Sequence, residues 1–297
     1  MVEICPDEDS ITIGVPVYNG EADIEKCIGS ILNQKEVTIS EILVFNDGSE
    51  DKTEALLRGL KINNPVITIL SEKKNVGRGY ARQKILEHAA GKYLSWLDCD
   101  DTWDEYNLKL KISAYKATMD KVNNKPFIIY GDYVANLLDK NTSSVKVVNN
   151  YYGKKELIEY FRNSNSSNFP LLQTMFSERA TFTLSSFNEN LRWSEDADFL
   201  IKFFEADGFL VRAESRNPTV YYNRTLKNKA HDMETGFAKF FEVNNTYLSS
   251  NNINVEALKK SRFKSTLARA KLINRGYFFL FIFEIKNKLA KLFARNN

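Results

Sequence analysis

The stretch Tyr93-Leu94-Ser95-Trp96-Leu97-Asp98-Cys99-Asp100-Asp101 decides how this chain is interpreted. An apolar run typical of a buried strand is followed at once by three carboxylates within four residues. Like charges this close repel, so one of them would hold a proton unless a cation neutralises them. A hard divalent ion, Mg²⁺ or Mn²⁺, with oxygen ligands and a phosphate to share, removes the repulsion. The alternative is a solvated turn, or an N-cap for a helix that begins near Trp103.

The residues around this cluster alternate between strand-like and helix-like patterns. Strands are predicted at residues 11–15, 41–45, 66–70 and 93–97, and helices at residues 24–32, 51–60 and 78–90. This order predicts an α/β fold with a mainly parallel, doubly wound sheet. Such sheets bind ligands beyond the carboxyl ends of their strands, where four polar loops of this chain fall.

The second half of the chain has weaker patterns. Helices are predicted at residues 108–119 and 151–161, strands at 127–134, around Val211 and at 219–222, and a helical C-terminus from about Phe237. An apolar segment also begins directly after the acidic stretch Glu195-Asp196. No internal repeat is present in the sequence.

Composition narrows the class of protein. With 43% hydrophobic residues and only 13 Gly and 6 Pro in 297 residues, the chain is expected to be globular rather than disordered. Its three cysteines have no framework spacing, which fits a reducing cytosol. The acidic N-terminus does not resemble a signal peptide, and no apolar run reaches the roughly 20 residues that a spanning helix needs.

The charge is unevenly distributed along the chain. Residues 255–297 contain 11 Lys or Arg and 2 Asp or Glu, a net charge of +9, while the whole chain carries only +3. Aromatic and aliphatic residues alternate with Lys and Arg in residues 277–297, which predicts a basic amphipathic helix at a membrane surface. The alternative is helical packing on the domain that precedes it or on another subunit. Nucleic acid is not expected as a partner, because no binding motif accompanies the basic residues.

Two of the polar loops could hold a nucleotide. Asp47, directly after the second strand, could accept a hydrogen bond from a base edge such as the imide N–H of uracil, or could simply cap the next helix. Gly77-Arg78-Gly79 does not complete a dinucleotide motif, because position 82 is Arg. Arg78 and Arg82 are one helical turn apart and could face the same anion, or could lie on a solvated helix face.

Other acidic and imidazole side chains are candidates for catalysis or metal binding. Glu195 and Asp196 could supply a general base for a sugar hydroxyl, or could complement the helix dipole, and Asp198 is ranked below them. His231, after a basic stretch, could contact a metal or a diphosphate. The thiol of Cys99 is expected to keep a high pKa between two acids.

Taken together, these motifs resemble the family 2 glycosyltransferases of GT-A fold over roughly residues 10–222. The resemblance depends on Pro16-Val17-Tyr18-Asn19, residues 46–53, Asn75-Val76-Gly77 with Ala81-Arg82, residues 97–101, and Glu195-Asp196. The chain departs from the family pattern at Gln83-Lys84-Ile85, where many relatives have Asn and a later Gly. It also has Ser185-Ser186 where a Gly often stands before the stretch that begins at Phe187.

The resemblance implies a role for each matching residue. The implied nucleotide and donor contacts are Pro16, Val17, Tyr18, Asn19, Glu21, Asp47, Asn75, Gly77, Arg82, Asp98 and Cys99. The implied metal ligands are Asp100, Asp98 and Asp101. His231 is a further candidate, which comes from its place after a basic stretch and not from the resemblance. Asp196 matches the base of the inverting family, with Glu195 beside it. The implied reaction is one in-line displacement at the anomeric carbon, with the metal as Lewis acid.

The expected function is therefore metal-dependent, inverting transfer of a sugar from a UDP-sugar to a glycan or lipid-linked acceptor in surface polysaccharide synthesis. The expected organisation is a catalytic domain at 1–225, with a donor half at 10–101 and an acceptor half at 102–225, and a basic helical extension at 226–297. The expected location is the cytoplasmic face of the membrane, and a homo-oligomer is left open. The alternatives are a sugar-nucleotide nucleotidyltransferase, which should carry a Gly-rich loop after the first strand, and an inactive sugar-nucleotide-binding protein.

Overall fold

The computed structural model describes residues 10–138, 141–163, 169–224 and 230–261, with the backbone alone at 224 and 230–236. The chain divides into two compact units, residues 1–224 and 225–297, and each is described by itself. Within the described ranges, no helix is both long enough and apolar enough to cross a membrane. The functional division predicted at residue 225, and the basic membrane helix predicted at 277–297, stay predictions, and the latter lies outside the described residues.

The first unit is built on two sheets. Its strands are β1 (Ile11–Val17), β2 (Glu41–Asn46), β3 (Ile67–Ser71), β4 (Tyr93–Trp96), β5 (Thr102–Trp103), β6 (Phe127–Tyr130), β7 (Tyr133–Leu137), β8 (Thr142–Lys146), β9 (Tyr151–Tyr152), β10 (Phe176–Glu178), β11 (Phe209–Arg212) and β12 (Val220–Arg224). The larger sheet has the order β3-β2-β1-β4-β10-β6-β11-β9, and the smaller has the order β5-β12-β7-β8.

Helices connect and cover these strands. They are α1 (Ile24–Leu32), α2 (Thr53–Asn63), α3 (Arg78–His88), α4 (Asn107–Met119), α5 (Lys154–Asn163), α6 (Arg179–Phe182) and α7 (Glu195–Glu205). The second unit contains α8 (Ala230–Val243), α9 (Asn245–Ser250) and a helical stretch at residues 255–261. The helix predicted from Phe237 therefore begins seven residues earlier, at Ala230.

Parallel pairing places four loops at one edge of the larger sheet. The strands β3, β2, β1 and β4 are all parallel, and Val17 at the end of β1 stands opposite Asn46 at the end of β2. The carboxyl ends of these strands consequently face the same way. Gly14 in β1 lets α3 and β4 approach closely, because a Cβ there would lie 2.6 Å from the Ile85 side chain and 3.0 Å from Trp96.

Several elements differ from the sequence prediction, and three of these differences have a clear physical reason. The strand predicted at 127–134 is wrong as one element, because a break around Asp132 separates β6 from β7, which lie in different sheets. The Asp132 carboxylate turns inward there and pairs with Arg212. The helix predicted from residue 151 begins only at Lys154, since Tyr151–Tyr152 pairs with β11. β10 was not predicted, and its three residues are too few for a periodic pattern.

Candidate active site

The acidic loop after β4 brings its three carboxylates together. Ligand oxygens of Asp98, Asp100 and Asp101 all lie within 4.8 Å of one another. Asp101 is fully buried, and its Oδ1 and Oδ2 accept hydrogen bonds from the Asn223 N–H (2.7 Å) and the Gln173 Nε2 (2.8 Å). Burial and the neighbouring charges of Asp100 and Asp98 raise the pKa of the Asp101 carboxyl well above its ordinary value. The loop therefore brings together three carboxyl groups whose mutual repulsion opposes full ionisation.

The donor atoms of this cluster suit a hard divalent cation. All three ligand groups are carboxylates, and oxygen donors are what Mg²⁺ and Mn²⁺ prefer. Burial, followed by the charges of Asp100 and Asp98, raises the pKa of the Cys99 thiol, as the sequence predicts, so the sulfur stays protonated. Asp98 and Asp100 are half-buried, whereas Asp101 is fully buried, so Asp98 and Asp100 are the more accessible carboxylates of the cluster. His231 lies in α8, but its side chain is outside the described residues, so its metal role stays a prediction.

A buried arginine connects the acidic loop to α7. Arg82 donates from Nη2 to the Asp98 Oδ1 (2.8 Å) and from Nε to the Glu195 Oε1 (3.1 Å). The side chains of Arg82 and Glu195 are only 3% and 4% exposed. Arg82 Nη1 is also buried and has no hydrogen-bond partner within the described part of the chain. A buried charge pair of this kind costs about 3–5 kcal/mol when one partner is removed, so Arg82 fixes the two halves of the site relative to each other.

A second arginine faces the same acids from a more open position. Arg78 begins α3, and its guanidinium carbon lies over the Trp193 ring, 5.0 Å from the centroid. The charges of Glu195, Asp98 and Asp100 act on this guanidinium. Cation–π contact and nearby carboxylates together hold a positive group at the rim.

Asp196 lies in the first turn of α7, next to Arg82 and its partners. The residue before this helix, Ser194, has a left-handed backbone (φ 59°), which turns the chain into α7. Burial and the charge of Glu195 raise the pKa of the Asp196 carboxyl to about 7, although Arg82 and Arg78 oppose the shift. A carboxylate with such a pKa is suited to accept a proton near neutral pH. Asp198 is instead fully buried and pairs with Lys202 Nζ at 2.8 Å.

Asp47 lies in the second loop, residues 47–52 after β2, and holds it against the third loop, residues 72–77 after β3. Its carboxylate accepts hydrogen bonds from the Val76 N–H (2.8 Å), the Gly77 N–H (2.9 Å) and the Asn75 Nδ2 (3.0 Å). Asp47 is 4% exposed, and burial raises the pKa of its carboxyl despite these bonds. Two of the bonds go to Oδ2 and one to Oδ1, so Oδ1 keeps room to accept from a ligand.

The first loop, residues 18–23 after β1, is joined to the second loop by reciprocal hydrogen bonds. The Asn19 N–H donates to Ser49 Oγ (2.9 Å), and the Asn19 Oδ1 accepts from the Glu50 N–H (2.8 Å). Glu21 Oε2 accepts from the Lys52 N–H at 3.0 Å. The remaining predicted donor contacts of this loop are at the end of β1 or just beyond it: Pro16, Val17 and the exposed Tyr18. The predicted nucleotide residues thus lie in one continuous set of loops, and their binding roles stay predictions.

Sequence reasoning missed two residues that shape the acidic loop. Gln173 lies in a 3-10 turn at Leu172–Thr174 and bonds to Asp101. Asn223 lies in β12 and bonds through its N–H to Asp101 and through Nδ2 to the Asp100 carbonyl (2.8 Å). The available signals were a polar residue inside the apolar run 169–176 and an Asn at the end of the late strand.

Residues from both departures from the family pattern hold the segment around Phe187. Gln83 Oε1 accepts a hydrogen bond from the Phe187 N–H at 3.0 Å. Ser185, on the same segment, donates from Oγ to the Phe199 carbonyl in α7 at 3.0 Å. Gln83 and Ser185 therefore act together to anchor the segment that runs toward Asp196.

Comparison with known proteins identifies the family. The model of the glycosyl transferase family 2 matches residues 12–188, more than half of the chain. The chain belongs to glycosyl transferase family 2. An uncharacterized glycosyltransferase of Rickettsia prowazekii is 30% identical over 246 residues, which are 77% of this chain and 71% of that protein. The hyaluronan synthase of Pasteurella multocida is 27% identical over 240 residues, which are 75% of this chain and 22% of the synthase.

Solved structures confirm the fold prediction. The S. aureus TarS fragment 1–349 in complex with UDP superposes with a TM-score of 0.54 at 18% identity, over 88% of this chain and 71% of that one. The same fragment in complex with UDP-GlcNAc also gives a TM-score of 0.54. This likeness establishes the GT-A type of α/β fold, and the predicted enzyme class is confirmed at the level of the family. The chain spans 65% of a Rickettsia typhi relative and 31% of a Rickettsia conorii one.

Proposed function

We propose that this family 2 glycosyltransferase transfers a sugar, with inversion, from a UDP-sugar to a glycan or glycolipid acceptor, and that it needs Mn²⁺ or Mg²⁺. The observation that carries the proposal is the cluster of Asp98, Asp100 and Asp101 with ligand oxygens within 4.8 Å, joined through Arg82 to the helix that bears Asp196. The TarS complexes with UDP and UDP-GlcNAc support a nucleotide-sugar donor. The matches to hyaluronan and chondroitin synthases support a glycan acceptor.

The donor side would be organised by the acidic loop and two arginines. Asp98 and Asp100 would hold the divalent ion, which when bound supplies Lewis-acid stabilisation of the leaving diphosphate. Arg78 would donate to phosphate oxygens from the rim, and Arg82 would do so through Nη1, which is unpartnered within the described ranges. Asp47, held by the third loop, would accept from the base edge through Oδ1.

The acceptor side would depend on Asp196. As the acceptor hydroxyl oxygen forms its bond to the anomeric carbon, the bond from that carbon to the diphosphate oxygen breaks. The hydroxyl proton passes to the Asp196 carboxylate, and the nucleoside diphosphate departs with the bonding electrons. Attack opposite the leaving group converts an α-linked donor into a β-linked product. Burial, together with the charge of Glu195 that Arg82 holds nearby, keeps the pKa of Asp196 high.

The proposed function is tested with a panel of sugar nucleotides. UDP-, GDP- and ADP-sugars are incubated with the protein, and release of nucleoside diphosphate is measured with Mn²⁺, with Mg²⁺ and with EDTA. We expect hydrolysis of at least one UDP-sugar that depends on the divalent ion. Equal release in EDTA would reject the dependence on a metal, whereas no release from any donor would reject the transferase and favour an inactive sugar-nucleotide-binding protein.

A lipid-linked acceptor would place the enzyme at the inner face of the membrane. Residues 277–297 combine four Lys or Arg with an apolar stretch, and each Lys or Arg near an anionic surface contributes about 1 kcal/mol to binding. We expect the full chain to float with vesicles that contain anionic phospholipid, and a variant without residues 277–297 to stay in the soluble fraction. The truncated protein should keep its hydrolysis of the donor. Unchanged flotation after the deletion would assign the tail to packing instead.

A further inference from the structure

Arg192 makes a bidentate contact with the third loop, although it belongs to the acceptor half of the chain. Its Nη1 donates to the Asn75 side-chain oxygen at 2.9 Å, and its Nη2 donates to the Asn75 backbone carbonyl at 3.0 Å. The Asn75 amide in turn donates to the Asp47 Oδ2 at 3.0 Å. A planar guanidinium bonded twice to one residue fixes the position and the orientation of that residue.

From this geometry we propose that Arg192 is the positioning residue for nucleotide-base recognition, acting through Asn75 on Asp47. The inference rests on the proposed function, because it concerns the same donor pocket. It adds a determinant of base selectivity that lies 117 residues from Asn75 along the chain.

The backbone around the contact is closely packed, which supports a specific contact between Arg192 and the third loop rather than a chance surface pair. A Cβ at Gly77 would lie 2.7 Å from the Arg192 Cγ, so the stem of Arg192 packs directly on the loop backbone. A Cβ at Gly48 would lie 2.4 Å from the Lys74 carbonyl carbon, so the second and third loops also touch through their backbones. Both glycines have positive φ angles, 112° and 68°, which other residues adopt only with strain. The third loop therefore packs closely against both Arg192 and Gly48.

The orientation of the Asp47 carboxylate depends on the contact between Arg192 and Asn75. Three loop donors, from Asn75, Val76 and Gly77, determine which lone pair of the Asp47 carboxylate remains for a base. The charge of Arg192 also acts on this carboxylate and lowers its pKa, against the effect of burial. If the Asn75 amide lost its fixed orientation, the acceptor that faces the imide of uracil would no longer be held in place.

The short segment that begins at Arg192 also carries Asp196, the candidate general base for catalysis. Arg192 donates two hydrogen bonds to Asn75, and the Trp193 ring contacts the Arg78 guanidinium. Asp196 follows in the first turn of α7. Arg192 therefore couples the nucleotide loop to the start of α7. A nucleotide that orders the third loop would, through Arg192, also favour the position of Asp196.

The test compares UDP and ADP binding by calorimetry in the presence of Mn²⁺. The variants are Arg192→Met, Arg192→Lys, Asn75→Ala and the double variant Arg192→Met/Asn75→Ala. The matched control is Arg58→Met, since Arg58 is an exposed arginine that pairs with Glu54 on α2. We expect Arg192→Met to weaken UDP binding about tenfold while ADP binding changes less than about twofold, because only the base-specific contact is lost. Arg192→Lys, which keeps the charge but not the fork, should fall between the two.

The double variant distinguishes a positioning role from a general structural one. If Arg192 acts through Asn75, the double variant should bind UDP no more weakly than the weaker of the two single variants. Equal UDP affinity in the wild type and in Arg192→Met, or additive losses in the double variant, would overturn the inference and leave the proposed function intact. A wild-type protein that binds no nucleoside diphosphate would overturn both.

Discussion

Replacing Asp196 with Asn should lower kcat for sugar transfer by about a thousandfold, the middle of the range for loss of a general base. The affinity for the UDP-sugar should stay within about twofold, because Asn keeps the size of the side chain and the donor contacts lie on other loops. The measurement is steady-state transfer to an acceptor alongside calorimetric donor binding. Loss of donor affinity with turnover intact would remove Asp196 from the base role.

The pH dependence of the wild type provides an internal check on this variant. The pKa of Asp196 is raised to about 7 by burial and by Glu195, so the carboxylate is protonated below that pH and cannot accept another proton. The value of kcat/KM should therefore fall about tenfold per pH unit below neutrality. Asp196→Asn should lose this limb, whereas Glu205→Gln, at the exposed end of the same helix, should keep it. A wild-type profile that is flat from pH 5.5 to 8 would contradict the assignment.

Replacing Asp100 with Ala should remove most of the binding of the divalent ion and, with it, the metal-dependent part of donor binding. We expect transfer to fall by about a hundredfold to a thousandfold, comparable to the loss of one strong transition-state contact. UDP affinity in the presence of Mn²⁺ should fall by at least about tenfold, and affinity in EDTA should hardly change. Calorimetry with and without Mn²⁺ measures both effects.

The control for Asp100 is a distant carboxylate. Asp120→Ala, at the exposed end of α4, removes one negative charge without touching the acidic loop. Its UDP titrations should match the wild type with and without Mn²⁺. If Asp100→Ala binds UDP as tightly as this control in Mn²⁺, the acidic loop does not hold the ion.

The first half of the fold was predictable because its signals are local. Each of the strands β1 to β4 is an apolar run that ends in a polar loop, and the parallel order places Asp47 and Asp100 at one edge without further information. The acidic loop was predictable because three carboxylates within four residues repel one another unless a cation or a proton neutralises them.

The contacts that organise the site were not predictable, because they join residues that are far apart along the chain. Arg82 and Glu195 are separated by 113 residues, and Asp101 and Asn223 by 122. A sequence shows an arginine on a helix and an acid at a helix start, but no periodic pattern indicates that they meet. Both partners of Asp101 also come from elements, a 3-10 turn and a late strand, that carry weak signals.

The most direct test of the account is a pair of UDP titrations of the wild-type protein, one in Mn²⁺ and one in EDTA. In the proposed mechanism, the acids at the end of β4 would form a divalent-ion site that the nucleotide diphosphate completes. We therefore expect Mn²⁺ to tighten UDP binding by at least about tenfold, since the ion would add attraction between the carboxylates and the diphosphate. Superimposable titration curves in the two conditions would contradict the central claim.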